Sequence, residues 1–256
     1  MMRRAAWAAA SLAFLVAVVL AWKLVADAKL VNPMFLPAPD RAFATLRGWI
    51  ESGELWDPLG KTVWRMFAGW IAASVIGIAL GAAIASSRRA RDLFEPSAEF
   101  LRPLPASAVL PPAVLLLGLS DSMIVTVIAF GTVWPILLGS IHGFRAIDPR
   151  LIEVARMLGF SPLARAFKFQ LPNALPEIFA GMRVSLALAL ILTVVAEMLS
   201  SQPGLGHMVL VAARAFRSAD IFAGIFVLGV LGFLTNSLMQ YLEAYLLRWR
   251  PAHSGG

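Results

Sequence analysis

The 256-residue sequence contains no cysteine, which removes disulfides, thiolate metal sites and cysteine nucleophiles from consideration. Charge is scarce as well: 14% of residues are Asp, Glu, Lys or Arg, where a soluble domain carries about a quarter. Histidine occurs only at His142, His207 and His253, scattered and without an H-E-x-x-H pair, so no metal site can be built from them. What is abundant is apolar. Hydrophobic residues make up 59% of the chain, and the mean hydropathy is +0.78. One soluble core of this size cannot hide so much apolar surface, so lipid is the expected solvent. The formal charge of +7 then reports topology before it reports a nucleic-acid partner, and none is expected.

A membrane-spanning helix needs about 20 mostly apolar residues. Candidate spans are Ala5–Trp22, Val63–Ala85, a proline-rich stretch from about Ala98 to Leu119, Met123–Ile141, Ile178–Leu199 and Ile221–Leu247. The expectation is an all-α polytopic membrane protein of about six transmembrane helices. It divides into residues 1–60 (first helix plus an outer loop with a short amphipathic helix), a transmembrane core at 61–247 and a short tail at 248–256. With the N-terminus inside, Arg3, Arg4, Arg88, Arg89, Arg91, Arg145, Arg150, Arg156, Arg165, Lys168, Arg248 and Arg250 are cytoplasmic. The outer segments then hold Lys29, Arg41, Arg47, Lys61, Arg214 and Arg217, a smaller share, as the positive-inside rule favours. Both termini are accordingly placed in the cytoplasm. Ala26-Asp27-Ala28 after the first apolar run also resembles a signal-peptide cleavage site, which would leave five spans.

In the first external loop, Phe43, Leu46, Trp49 and Ile50 recur at helical spacing. This suits a short helix on the outer membrane surface, or a face that meets an external partner. Small residues at Gly77 and Gly81, and at Gly139 and Gly143, permit close helix packing, within this chain or with another copy. Gly60-Lys61-Thr62 is not a phosphate-binding loop, because Leu55 stands where the required glycine belongs. Ser140 and His142 are two apart and point to different helix faces, which argues against an intramembrane hydrolase. Glu197, late in the fifth span, either lines a pathway, with Met198 and Ser140 as further candidates, or forms an ion pair. Arg183 is near the inner end of that span and suits an anchoring role, and Ser120 or Asp121 caps the fourth.

The segment EVARMLGFSPLARAFKFQLP (153–172) is the polar exception. Asp148-Pro149 starts a helix with an apolar stripe at Leu151, Val154, Ala155 and Leu158, and Gly159 suits a left-handed helix stop. Ser161-Pro162 starts a second helix with Leu163, Ala166 and Phe167 on one side, and Leu171-Pro172 is expected to break out before the fifth span. The product is a cytoplasmic two-helix elbow with one oily face, either a hairpin folded back on the membrane interface or a docking surface for a soluble partner.

These residues resemble the EAA loop of the permease subunits of ATP-binding-cassette importers: Glu153-Val154-Ala155, three residues, Gly159, nine residues, then Phe169-Gln170-Leu171-Pro172. Val154 and Phe169 depart from the family's alanine and isoleucine. FLPAPD (35–40), the second span with Arg65, Gly69, Gly77 and Gly81, FLRPLPASAVLPPAVLLLG (100–118), LPNALPEIFAGMR (171–183), and AEML with PGLG (196–206) are similar to the nitrate, sulfonate and taurine branch. The resemblance implies a type I importer in a bacterial inner membrane. It implies a homodimer of this chain, a cytoplasmic ATPase dimer carrying ATP and Mg, and a periplasmic or lipid-anchored solute-binding protein. This chain itself would hold no cofactor and catalyse nothing. Glu153, Val154, Ala155, Gly159, Phe169, Leu171 and Pro172 would couple it to the ATPase, and the cargo would be a small anion such as a sulfonate, taurine or nitrate. The alternative is an ATPase-independent secondary transporter or channel, although no inverted repeat is evident.

Overall fold

A computed structural model describes the backbone of residues 2–101 and 103–249. The side chains of Arg3, Arg4, Arg88 and Arg91, together with residues 250–256 of the expected tail, lie outside the described residues. In chain order the helices are α1 (Met2–Asp27), α2 (Pro39–Ser52), α3 (Trp56–Ser86), α4 (Arg88–Leu101), a 3-10 turn (Ala106–Val109), α5 (Leu110–Leu117) and α6 (Asp121–Arg145). There follow α7 (Pro149–Met157), α8 (Pro162–Arg165), a π turn (Ala166–Gln170), α9 (Leu171–Ser200), α10 (Leu205–Arg214) and α11 (Ser218–Leu246).

Among the described residues, α3, α6, the continuous helix Pro162–Ser200 and α11 are long and apolar enough to cross a bilayer. At about 1.5 Å per residue, the 26 residues of α1 are also long enough to cross about 30 Å of hydrocarbon. The third expected span departs from the sequence reading. It is not one helix: α4 stops at Leu101, and the chain resumes as the 3-10 turn and the short α5. Pro103 and Pro105 remove backbone donors, and Pro105 is extended (φ −63°, ψ 127°), so the ladder cannot run through, whereas Pro111 and Pro112 sit in the first turn of α5, where a missing donor costs nothing. Ala106 resumes the chain half-buried against Gly131 of α6.

The centre is a three-helix core of α3, α6 and α9. A Cβ on Gly69 would come within 2.6 Å of Ile128, one on Gly77 within 3.0 Å of Ile136, and one on Gly81 would overlap Ser140. The partners advance together, so α3 and α6 run parallel with backbones nearly touching. Gly139 meets Glu177 and Gly181, and Gly143 meets Ala174, so α9 runs antiparallel on α6. The small-residue motifs therefore serve packing within one chain, where dispersion between close backbones replaces the hydrophobic effect. Met66, Ile124, Ile128, Phe179 and Leu186 fill this core, and Trp70 Nε1 donates to Met182 O at 3.1 Å.

At the end of the bundle opposite the elbow, α2 packs on α11 through buried Ala42 and Trp49, and Phe43 meets Phe226 edge to face at 5.1 Å. Trp22 stacks on Phe222 and donates to Pro37 O, and Lys23 pairs with Asp40, tying the end of α1 to α2 and α11.

Candidate functional site

The elbow is built from local signals. Asp148 Oδ1 accepts from Arg150 N at 2.9 Å, and Pro149 occupies the first turn, where its missing donor costs nothing. α7 ends with Gly159 N donating to Arg156 O (2.9 Å) and Phe160 N to Ala155 O (3.1 Å), with Gly159 at φ +75°. That pair of reversed bonds needs a left-handed residue, which glycine supplies without a steric cost. Ser161 Oγ then accepts from Ala164 N and starts α8. The two arms are stapled across the turn by Phe160 and Phe169, whose rings meet edge to face at 5.2 Å, with Lys168 Nζ 5.4 Å from the Phe160 ring centre.

Of the expected stripe, only Ala155 is buried. Val154, Met157, Leu158, Leu163 and Phe167 all project outward, as does Glu153. The elbow therefore presents an oily ridge with a carboxylate beside it, uncovered by any other element among the described residues. Its second arm also differs from the sequence reading, because Leu171-Pro172 does not break out. Leu171 N donates to Ala166 O, five residues back, and the widened π turn carries the helix past Pro172, which has no N–H to donate. The arm is thus continuous with α9 over Pro162–Ser200, a single rod that leads into the three-helix core. Phe169, Leu171 and Pro172 sit half-buried at its root. On one side of the root a 350 Å³ groove runs between Leu151, Pro172, Pro176 and Trp249; on the other, a 360 Å³ cavity separates Phe167 and Gln170 from Ala79 and Ala82 of α3.

A second constellation lies at the far end of the core. Arg65 and Glu197 side chains are 3% and 0% exposed, and Nη1 of Arg65 lies 3.0 Å from Oε1 of Glu197. The same guanidinium donates to Pro203 O (2.6 Å) and, through Nε and Nη2, to Asp121 Oδ1 (2.9 and 2.6 Å). Glu197 also accepts from Thr62 Oγ1 (3.0 Å) and Gly206 N (3.0 Å), while Thr62 Oγ1 accepts from Leu205 N (2.9 Å). A buried carboxylate is tolerable only when paired and bonded in this way. The cluster joins α3, α6 and α9 to the turn that starts α10.

Glu197 thus forms an ion pair, one of its two expected roles. Ser140 is fully buried beneath Gly81, and its Oγ has no hydrogen-bond partner among the described residues. Met198 is half-buried. Ser120 caps α6 by accepting from Met123 N, which frees Asp121 for Arg65. Arg183 pairs with Glu243 of α11. Thr62 and Lys61 lie inside α3, with Lys61 paired to Asp57, so Gly60-Lys61-Thr62 is helix and not a loop. The role of Thr62 and the helix α10 were missed in the sequence. Lone polar residues in an apolar run were the available signal for the first.

The sequence family described as "Binding-protein-dependent transport system inner membrane component" matches residues 73–248. The aliphatic sulfonates transport permease protein SsuC of Bacillus subtilis is 34% identical over 234 residues, covering 91% of this chain and 85% of the relative. The taurine transport system permease protein TauC of Escherichia coli is 30% identical over 234 residues, covering 89% and 85%. Among solved structures, the inward-facing methionine transporter MetNI superposes with a TM-score of 0.64 at 18% identity, over 76% of this chain and 94% of that one, which shows a shared fold.

Proposed function

The chain belongs to the family of binding-protein-dependent transport system inner membrane components, and from that premise we propose how this permease subunit is assembled and driven. Two copies of the chain sit side by side in a bacterial inner membrane, with the elbow and both termini in the cytoplasm. A cytoplasmic ATPase dimer carries ATP and Mg, and a solute-binding protein delivers cargo at the opposite face. The elbow seats in a cleft of each ATPase, and closure of the ATPase pair moves both elbows. The spans then alternate between inward-open and outward-open, a shift that requires nucleotide to favour one state over the other.

The observation that carries this reading is the uncovered apolar ridge on a capped, rigid elbow continuous with α9. Such a surface fits a docking partner, and a rod into the α3–α6–α9 core fits a force transmitter. The relatives transport aliphatic sulfonates and taurine by name, so a small sulfonic acid is the cargo proposed here. The test is reconstitution of the chain in proteoliposomes with the ATPase and the binding protein encoded alongside it. Uptake of radiolabelled taurine or an alkanesulfonate that requires all three components and ATP supports the proposal. Uptake that proceeds without the ATPase would replace it with a secondary transporter.

A further inference from the structure

Three non-glycine residues adopt left-handed backbone angles among the described residues: Lys29 (φ +52°), Ser201 (φ +54°) and Phe216 (φ +54°). All three follow helices at the end of the bundle opposite the elbow. Phe216 is the outlier in kind, since a bulky side chain in this region is sterically disfavoured and signals either strain or use. Its turn is fully formed. Phe216 N donates to Ala213 O (3.2 Å) and Arg217 N to Ala212 O (2.9 Å). This is the same pair of bonds that ends α7, where the left-handed position is held by Gly159.

Nothing in the packing demands the aromatic ring, because Phe216 is 60% exposed. The helix that carries it is nonetheless fixed. Leu205, Val209 and Ala212 are buried, Leu205 N and Gly206 N are held by Thr62 and Glu197, and Ser218 Oγ just beyond the ring reaches Pro33 O at 3.5 Å. Arg214 and Arg217 flank Phe216 in the sequence and are exposed, with Arg217 paired to Asp220. A rigid exposed aromatic between two arginines has the composition and preorganisation of an interface anchor.

We propose that Phe216, with Arg214 and Arg217, is a docking knob for the external solute-binding protein, seating its ring in an apolar pocket rimmed by carboxylates on that partner. This rests on the importer reading above. A ring that merely dissolved in lipid would gain nothing from a fixed, disfavoured backbone angle. A shaped protein pocket rewards that angle, and the flanking cations select an acidic rim.

The test uses Phe216→Gly. Glycine adopts the left-handed angle freely, so the turn is kept and relaxed while the ring is removed. The transporter, reconstituted with its ATPase, is titrated with the binding protein encoded alongside it, and ATPase stimulation is followed. Phe216→Gly is expected to raise the half-saturating concentration about tenfold or more, while its thermal midpoint in detergent equals or exceeds that of the unaltered chain. Phe216→Trp should stay near the unaltered value, and Arg214→Glu with Arg217→Glu should weaken docking further. Unchanged half-saturation in Phe216→Gly would overturn the proposal. Because the chain lacks cysteine, Phe216→Cys can also carry a single polarity-sensitive dye. A response to added binding protein supports docking. A response to the bilayer alone assigns the ring to the membrane and overturns it. If the unaltered chain shows no stimulation by the binding protein, the importer reading itself fails.

Discussion

Arg65 and Glu197 lie 132 positions apart in the sequence, yet their side chains meet at 3.0 Å in a part of the core sealed from solvent. Asp121 bonds the same guanidinium from the exposed side, with 59% of its side chain exposed. The two carboxylates therefore differ in worth. Removing one partner of a buried pair leaves an uncompensated charge, whereas an exposed partner is screened by water.

Arg65→Met is expected to destabilise the chain by about 3–5 kcal/mol, because Glu197 remains buried with only neutral donors. Asp121→Asn should cost less than about 1 kcal/mol. Arg65→Met combined with Glu197→Gln should recover a large part of the loss, since an amide still accepts from Thr62 and Gly206 without a charge. Thermal unfolding in detergent for the three variants checks the ordering.

A methyl group on Gly204 would fall directly on the Glu197 carboxylate, while one on Gly60 meets nothing within 4 Å. Gly204→Ala is therefore expected to lower the thermal midpoint and to reproduce part of the Arg65→Met defect. Gly60→Ala, inside α3, should stabilise by about 0.5–1 kcal/mol through helix propensity. The same unfolding measurement separates them.

The α3–α6 seam closes at Gly81 over Ser140. Gly81→Leu should force the parallel helices apart and abolish stable expression. Ser140→Ala removes a buried hydroxyl that has no partner and should leave stability and transport at or above their starting levels. Loss of uptake in a stable Ser140→Ala protein would restore Ser140 as a pathway residue.

The Phe160–Phe169 contact holds the two arms of the elbow at a fixed angle. Phe160→Ala should weaken that staple by about 0.5–1.5 kcal/mol beyond lost burial, leaving the spans intact. The expected signature is faster amide exchange confined to residues 149–170, read by hydrogen–deuterium exchange.

The elbow was legible in the sequence because its signals are local. Asp148, Gly159 and Ser161 each act within four residues of themselves, and all three occupy the positions their chemistry predicts. The four long spans were legible for the same reason, since lipid demands a continuous apolar run. The third span departs from the sequence reading because hydropathy is blind to backbone donors, and Pro103 and Pro105 interrupt the ladder whatever the apolar average. The π turn escaped because no side chain encodes it; it is the response of the ladder to Pro172. The Arg65–Glu197 pair is long-range, so the sequence displayed two buried charges without saying that each was the other's partner. Phe216 escaped for the opposite reason, since phenylalanine is not a turn residue and its left-handed angle contradicts its own propensity.

Coupling through the elbow is tested most directly by Gly159→Pro and Glu153→Arg in the reconstituted transporter. Proline cannot adopt φ +75° and removes the N–H that bonds Arg156 O, while Glu153→Arg reverses the charge beside the exposed ridge. Both variants are predicted to insert and unfold at temperatures near that of the unaltered chain, because the α3–α6–α9 core is untouched. They are predicted to lose ATPase co-purification and ATP-driven uptake together. Normal uptake with normal ATPase co-purification in either variant would contradict the assignment of the elbow as the coupling element.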